Sequence, residues 1–377
     1  MRFEIEEITL GQLPSGDDLT SRLFRFREGN GRKAWLQANV HGGEVQGNLV
    51  ILELLERLSD LTIHGEIALL PMANPLGLTQ AATSSGRYDL TTGLNFNREY
   101  QLPFEVPAGE DDWRIDIDGF ARNHLASDDA EIFDDFRHDL REAWVRFAEQ
   151  AETAEHRFVA ELQSRSCDAD LFLDLHTGDR SPRYLFVFDL NVEGARYLGS
   201  PHNLLMEDSK FGGAGDEAHF HPWYALREAL AAYDRRVTIP VESFTVELGP
   251  LDQLDEESAS RAADDIVNYL TYHGIVDGEA ELREMRRYAC RQEDYISIKA
   301  PAGGLVSWQK EPGDHVRKGE VVAELISFRE IENLATISRA RTLLTAPADA
   351  IILNQHHHAM VSRGTTLFKL MTNVNEL

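Results

Sequence analysis

The sequence predicts an α/β fold followed by a smaller all-β unit, and two patterns indicate it. Up to about residue 290, short apolar strands alternate with segments whose apolar residues recur at helical spacing. Such alternation is typical of a sheet flanked by helices, whose ligands gather at the carboxyl ends of its strands. From about Tyr295 the pattern changes to short strands and turns. We therefore expect a main domain over residues 1–290 and a small β domain over residues 295–377.

The first strand and helix place two polar residues at their junction. Residues 33–40 predict a buried strand, and residues 44–58 carry apolar residues at helical spacing. His41 is therefore expected at the carboxyl end of the strand, with Glu44 in the first turn of the helix. The two glycines between them allow the chain to turn closely around an ion, and an imidazole and a carboxylate can share one cation. A histidine and an acid also meet at this spacing by chance, so the pair alone leaves a metal site open.

Three further strands are predicted at residues 66–72, 169–175 and 244–248. Residues two apart in a strand point to the same face, so Asp174 can support a site that His176 enters. A buried His–Asp pair that serves only the core would show the same pattern. Glu247 follows in a mostly apolar stretch, where desolvation raises the pKa of a glutamate toward the working pH. Such a group suits proton transfer, although a salt-bridged residue at a strand end is the alternative.

An acidic region rich in aromatic residues lies between the strands predicted at residues 66–72 and 169–175. It covers residues 100–168 and includes Glu110-Asp111-Asp112-Trp113. From about Asp128 to Ser164 the spacing of apolar residues predicts one long helix. We interpret the region as an insertion that either packs on the main domain or borders the site, and the sequence leaves both open.

The last part of the chain contains an internal repeat. Residues 300–306 are echoed by 346–352, and residues 316–319 by 361–364. This pattern predicts two related halves of a small β domain, which resembles the flattened, barrel-like biotinyl/lipoyl carriers. Carriers of that kind need a lysine at the turn between the halves, and no lysine occurs between Lys318 and Lys369. A tethered biotin or lipoate is therefore excluded on chemical grounds.

The composition excludes several classes of partner. The 377 residues include 37 basic and 64 acidic ones, and the net charge of -27 repels nucleic acids and anionic membrane surfaces. An acidic substrate would need a local cluster of arginines. No apolar run reaches the roughly 18 residues of a membrane span, and the first residues lack the apolar stretch of a secretory signal. Cys167 and Cys290 form no CxxC pair. We expect a cytoplasmic protein without nucleic-acid or membrane partners.

A resemblance to a known family rests on four motifs in a fixed order. They are His41-Gly42-Gly43-Glu44, Asn97-Arg98, Asp174-Leu175-His176 and Glu247-Leu248-Gly249. The set resembles the zinc carboxypeptidase superfamily and, within it, the succinylglutamate desuccinylase/aspartoacylase family. The resemblance covers nearly the whole chain apart from residues 100–168. It implies a zinc-carboxypeptidase-like mixed sheet flanked by helices, with a smaller C-terminal barrel-like domain.

The resemblance also implies a metal centre. His41, Glu44 and His176 would be the ligands of one Zn²⁺ per chain, and Glu247 would be the general base and acid. Two imidazoles and one carboxylate leave one position of a tetrahedral ion open. Zinc lowers the pKa of its water to about 7, so that a glutamate beside it can take the proton.

The remaining site residues implied by the resemblance contact substrate. Asn97 and Arg98 would clamp a substrate carboxylate, which the fork of a guanidinium matches with two hydrogen bonds. Arg87 would polarise the scissile carbonyl and stabilise its oxyanion. The chain departs from the family pattern in two places. Asn95-Phe96 stands where the family usually has Asp-Leu, and the gap between Arg87 and Asn97 is longer than in aspartoacylases.

These residues together indicate a zinc-dependent amidohydrolase, or deacylase. Its substrate would be an N-acyl amino acid or a similar small amide that bears a carboxylate. Two alternatives stay open: a metallocarboxypeptidase acting on peptide C-termini, and a non-catalytic metal- or ligand-binding protein. The acyl group, the amine half and the oligomeric state, a homo-oligomer included, are also left open.

Two further motifs have simpler interpretations. The run His356-His357-His358 could bind metal adventitiously, but an exposed loop is the favoured interpretation. Residues 216–223 mix charged and aromatic side chains and fit a specificity pocket or a structural loop equally well.

Overall fold

The computed structural model describes residues 3–84, 86–104, 113–251 and 253–377. The acidic run Glu110-Asp111-Asp112 lies outside these ranges. In the described residues the helices are α1 (Gln46–Leu58), α2 (Pro75–Ser84), α3 (Ile117–Asn123), α4 (Asp129–Gln150), α5 (Ala154–Ser166), α6 (Val192–Ala195), α7 (Gly215–Ala231) and α8 (Glu256–Tyr272). None of them is long and apolar enough to cross a lipid bilayer.

The strands fall into one large sheet and two small ones. The first nine are β1 (Glu4–Gln12), β2 (Asp18–Arg27), β3 (Lys33–Ala38), β4 (Glu66–Leu70), β5 (Leu171–Gly178), β6 (Tyr184–Phe188), β7 (His202–Met206), β8 (Glu242–Pro250) and β9 (Tyr288–Arg291). The others are β10 (Tyr295–Lys299), β11 (Gly304–Trp308), β12 (His315–Val316), β13 (Val321–Ile326), β14 (Arg341–Thr345), β15 (Ala350–Gln355), β16 (Met360–Val361), β17 (Thr366–Thr372) and β18 (Asn375–Glu376).

The large sheet has ten strands in the order β1-β2-β4-β3-β5-β8-β6-β7-β9-β18. Its centre, β4-β3-β5-β8, is parallel, while β2 and β6 run antiparallel to their central neighbours. The predicted mixed sheet is therefore confirmed. Because the parallel strands end at the same edge, the residues at or just beyond the carboxyl ends of β3, β5 and β8 meet there.

Two apolar cores cover the faces of the large sheet. Side chains alternate along each strand, so Trp35 packs into one core and Leu36 into the other. Helices α3, α4, α5 and α7 cover the first face, and α1 and α8 cover the second. Every residue of β5 is buried, as expected for a central parallel strand. These two cores make the sheet the rigid support of whatever lies at its edge.

The predicted long helix of the acidic region is wrong in one respect, because two helices replace it. Ala151 adopts an extended conformation after α4, and Thr153 caps α5 by accepting a hydrogen bond from His156 N at 3.1 Å. A threonine that satisfies a free amide in this way favours a new helix start over continuation. Apolar side chains of both helices belong to the core on one face of the large sheet. The described part of the insertion therefore packs on the main domain, which was the first of its two interpretations.

The two small sheets contain the internal repeat. Their orders are β10-β17-β15-β12 and β14-β13-β11-β16, and all their pairs are antiparallel. The repeat is visible in the strands: β11, β12 and β13 of one half correspond to β15, β16 and β17 of the other. They enclose a core of their own. After β17 the chain returns to the large sheet, where β18 pairs with β9.

Candidate active site

The turn after β3 carries His41 and is held by its neighbours. Asn39 adopts the left-handed region with φ of 71°, and its Nδ2 donates to the carbonyl oxygen of Gly42 at 2.8 Å. A Cβ on Gly42 would lie 2.0 Å from the carbonyl carbon of Gly77, so only glycine fits where this turn meets α2. His41 therefore lies just beyond the strand, at the carboxyl edge of the sheet.

Glu44 precedes α1, and the prediction that it lies in the first helical turn is wrong. The helix begins at Gln46 with Val45 as its cap, and Glu44 N donates to His41 O at 3.0 Å. This tight turn brings the Glu44 carboxylate back toward the ring of His41. The function expected of the residue is unaffected, because the turn delivers it to the same edge.

The three predicted metal ligands converge at that edge. His41 Nδ1 lies 2.9 Å from Glu44 Oε1, and His176 Nδ1 lies 2.8 Å from Glu44 Oε2. One ligand atom from each residue lies within 4.8 Å of the other two, and the residues are only 7%, 1% and 3% exposed. Two imidazoles and a carboxylate are a common donor set of catalytic zinc. The residues fit a zinc ion, whose binding would release any proton held between them.

The outer nitrogen of each imidazole has a different partner. His41 Nε2 donates to Asn95 Oδ1 at 2.9 Å, whereas His176 Nε2 lies 3.1 Å from Asp174 Oδ2. Outer partners of this kind fix ring orientation and turn Nδ1 toward a metal. Asp174 thus lies close enough to support His176 by its charge, although neither of its oxygens has a well-aligned hydrogen-bond partner among the described residues. The corresponding contact of Asn95 is not predicted by the sequence, in which Asn95 is a departure from the family pattern.

The charges of the cluster are strongly coupled. Burial alone would raise the pKa of Glu44, but the charges and hydrogen bonds of His41 and His176 hold it well below its ordinary value. Burial would lower the pKa of His176, yet the carboxylates of Asp174 and Glu44 raise it well above its ordinary value. The cluster therefore concentrates negative charge around a proton that a divalent cation can replace.

Glu247 stands beside this cluster on the next strand. It is in register with His176 across the β5–β8 pair and with Tyr184 across the β8–β6 pair. Its Oε2 is buried and has no hydrogen-bond partner among the described residues. Burial, followed by the charge of Glu44, raises the pKa of Glu247 to about 7. A carboxyl group with these properties can both accept and donate a proton near neutral pH.

Arg87 contacts the cluster directly. Its Nη2 donates to Glu44 Oε1 at 2.7 Å, and its side chain is 33% exposed. Its Nε is buried and has no partner among the described residues. The guanidinium therefore neutralises part of the cluster and still has a donor free for another oxygen.

Asn97 and Arg98 lie in a short 3₁₀ turn that faces the same space. Asn97 is 5% exposed; its Oδ1 accepts from Gly215 N at 3.0 Å, and its Nδ2 lies 3.3 Å from His176 Nε2. Asn97 is thus held by the protein itself. Arg98 extends into the open space, with one nitrogen donating to the Asn97 carbonyl oxygen.

A cavity of about 730 Å³ joins all the predicted site residues. The small sheets also line it, through Asn354 and Lys369 among others. Asn354 Nδ2 donates to Tyr184 Oη at 3.1 Å and Tyr295 Oη at 2.6 Å, which ties the small sheets to β6. Enclosure by the walls lowers the pKa of Lys369, while the charge of Glu247 opposes this shift. No sequence motif surrounds these residues, so the sequence does not indicate them.

Residues 216–223 form the first half of α7, so the structural-loop interpretation is wrong. Asp216 and Glu217 line the cavity, whereas His219 and Trp223 are buried in the core. Burial, followed by the charge of Glu217, raises the pKa of Asp216 to about 7. One face of this segment thus lines the cavity, and the other packs in the core.

A family model agrees with this geometry. The description "Succinylglutamate desuccinylase/Aspartoacylase catalytic domain" matches residues 30–273, which span all the site residues of the large sheet. Among curated proteins, none matches this chain significantly.

Solved structures resemble the whole chain. A succinylglutamate desuccinylase/aspartoacylase family protein from Shewanella amazonensis is 33% identical, with a TM-score of 0.91 and coverage of 99% of this chain and 100% of that one. A similar protein from Shewanella frigidimarina is 31% identical, with a TM-score of 0.92 and coverage of 100% and 98%. The ectoine utilization protein EutE (DoeB) from Ruegeria pomeroyi shares the fold at 16% identity, with a TM-score of 0.64 and coverage of 97% and 94%.

Proposed function

Because this chain belongs to the succinylglutamate desuccinylase/aspartoacylase family, we propose that it is a zinc-dependent amidohydrolase that cleaves N-acyl amino acids. The family implies a hydrolase acting on acyl amino acids. The observation that carries the proposal is the buried cluster of His41, Glu44 and His176, which opens on the cavity beside Glu247. When bound, zinc polarises a carbonyl oxygen and acidifies a water molecule.

Glu247 would move the proton in this reaction. A pKa of about 7 lets it accept a proton from the attacking water, and its buried Oε2, which has no hydrogen-bond partner among the described residues, has its lone pairs free to do so. It would then deliver the same proton to the leaving nitrogen. The carboxylate ends the cycle in the ionised state in which it began.

The arginines would bind and polarise the substrate. Arg98 would take the substrate carboxylate with its planar fork, beside the fixed amide of Asn97. Arg87 would direct its remaining donors to the carbonyl oxygen as negative charge develops there. These local cations would offset the long-range repulsion of an acidic substrate by a chain with a net charge of -27.

The small sheets would restrict the substrate to small molecules. We treat residues 1–290 as the catalytic domain and residues 295–377 as a carrier-like, barrel-like domain without a tethered cofactor. Asn354 and Lys369 of that domain line the same cavity as the catalytic residues, which supports a closed entrance. A peptide substrate would need a wider opening on this side.

A substrate screen with a matched variant tests the proposal. Zinc-loaded protein is incubated with N-acetyl, N-succinyl and N-aroyl amino acids and with peptides, and the released amino acid is measured. We expect turnover of at least one N-acyl amino acid. Glu247→Gln should retain zinc by elemental analysis and lower turnover by roughly 10² or more, because it removes the proton carrier. The control Glu257→Gln changes an exposed residue of α8 and should leave turnover unchanged.

Three other outcomes of this experiment would contradict the proposal. Preferential cleavage of peptides would favour the carboxypeptidase alternative. Zinc binding without turnover of any substrate would favour the non-catalytic one. Unchanged turnover in Glu247→Gln would remove Glu247 from the mechanism.

A further inference from the structure

A second group of metal-binding side chains lies at the rim of the cavity. Asp179 follows β5, and His356 and His357 follow β15; one ligand atom from each lies within 4.8 Å of the other two. Asp179 and His356 also line the cavity. The sequence of the histidine run favours an exposed loop and does not indicate a third partner from the large sheet.

The backbone brings the two segments together. Arg180 and Gln355 form an isolated antiparallel bridge, with N–H to oxygen distances of 3.0 Å and 2.9 Å in the two directions. The neighbours of this bridge, Asp179 and His356, therefore face each other. Leu251 N donates to Asp179 O at 3.2 Å, so the turn after β5 is also held from β8. The positions of these groups are thus set without an ion.

The separations fit ligands that share an ion. Asp179 Oδ2 lies 3.4 Å from His356 Nδ1, and Asp179 Oδ1 lies 3.6 Å from His357 Nδ1. Hydrogen bonds between nitrogen and oxygen are usually about 2.9–3.0 Å. Two bonds of about 2.0–2.2 Å at a tetrahedral angle place their ligand atoms about 3.4 Å apart. The rings of the two histidines lie 5.0 Å apart between centroids.

We propose that Asp179, His356 and His357 form a second divalent-cation site. Two imidazoles and a carboxylate select a borderline ion such as Zn²⁺ over Mg²⁺ or Ca²⁺. The side chains are 33%, 19% and 31% exposed, so the ion would exchange more readily than one in the buried cluster. This site adds a second ion to the one expected from sequence and joins the large sheet to the small sheets at the cavity rim.

Metal stoichiometry tests the second site. Apoprotein of the full chain is equilibrated with zinc at a buffered free concentration, and bound zinc is measured after separation. We expect about two equivalents for the wild type, one for His41→Ala, one for His357→Ala and none for the double variant. Circular dichroism of each variant checks that the protein is folded.

Two further variants separate this site from adventitious binding. Asp179→Asn should also lose one equivalent, whereas His64→Ala should lose none, because His64 lies on the surface with Asp277 at 3.5 Å, far from this site in the chain. If His357→Ala loses an ion but Asp179→Asn does not, the histidine run binds by itself and the three-residue site is overturned. One equivalent in the wild type that only His41→Ala removes would overturn it as well, and would leave the buried cluster intact.

Hydrogen exchange gives a readout that is independent of ion counting. If the ion joins the two segments, zinc should slow amide exchange at residues 353–358 in the wild type. The same addition should have no such effect in His357→Ala. Equal protection in both proteins would contradict the proposal.

Discussion

Asn95 shows how one side chain adjusts a candidate metal ligand. Its neutral amide holds the outer nitrogen of His41, whereas a carboxylate faces that of His176. A carboxylate partner makes an imidazole a more basic ligand than an amide does. We therefore infer that His41 is the weaker of the two donors to a bound ion.

Exchanging the amide of Asn95 should change zinc affinity in both directions. Asn95→Asp should raise it by about 10-fold, and Asn95→Ala should lower it by roughly 10–100-fold, the range typical of outer partners. Competition with a chromophoric chelator measures both. Asn123→Asp, on an exposed residue of α3, is the control. Equal affinity in all four proteins would show that the hydrogen bond to His41 does not influence the ion.

His219 makes stability depend on pH. It is 7% exposed, its Nε2 donates to Ala169 O at 3.1 Å, and burial lowers its pKa to about 4. The unfolded chain, with a histidine pKa of about 6.5, binds more protons between these values, so stability falls as pH falls from 6.5 toward 4. From pH 7 to pH 5 the wild type should lose about 2 kcal/mol more than His219→Gln. Urea unfolding at both pH values measures it; identical losses would contradict the assignment.

The sequence predicted the identity of the clustered side chains better than their contacts. His41, Glu44, His176 and Glu247 stand next to strand ends, where local patterns are informative. Lys369 could not be predicted in this way, because its place in the cavity depends on parts of the chain that are distant in sequence.

At the scale of elements, the periodicity of apolar residues located strands well and helix ends poorly. The strand predicted at 169–175 is observed as Leu171–Gly178, and that at 244–248 as Glu242–Pro250. The apolar spacing of α4 continued across Thr153, so it concealed the break that the threonine cap makes. A cap competes with helix continuation through one hydrogen bond, which a search for periodicity does not register.

The packing of α4 gives a prediction for the whole insertion. Phe136 is fully buried and meets Phe120 at 5.3 Å and Trp223 at 5.2 Å between ring centroids. Phe136→Ala should lower the free energy of unfolding by about 3–5 kcal/mol, because it leaves a cavity between α3, α4 and α7.

Urea denaturation measures this change. Val145→Ala, at a position of α4 that is 44% exposed, should stay within about 0.5 kcal/mol of the wild type. A small effect of Phe136→Ala would mean that the insertion unfolds separately from the sheet that it covers.

At the scale of the molecule, the cavity belongs to both parts of the chain. The large sheet and its connections supply the glutamates, the imidazoles and the arginines, and the small sheets supply an amide and a lysine. The half-repeat predicted the existence of the small sheets. It contained no information on which surface they would cover, because that depends on contacts such as Asn354 with Tyr184, far apart in the sequence.

Lys369 should therefore influence substrate choice from the small sheets. It lines the cavity with Arg87 and Arg98, so Lys369→Gln should raise KM for anionic acyl groups by about 10-fold, with less effect on neutral ones. Steady-state kinetics with N-succinyl and N-acetyl substrates measure the ratio. Lys318→Gln, on an exposed turn of the same sheets, is the control. Equal changes of KM for both acyl groups would refute a charge-selective role.

The return of β18 to the side of β9 has a mechanical consequence. The chain leaves the large sheet after β9 to form the small sheets and returns to it at β18, which pairs with β9. The small sheets are therefore attached to the large sheet at both of their ends. With two attachments, the small sheets cannot rotate about a single hinge residue. Truncating the chain after β9 would remove β18, so that β9 would become the edge strand of the large sheet and its backbone would be open to unwanted pairing. A deletion of the small sheets should therefore keep β18 and join it to β9 through a short linker.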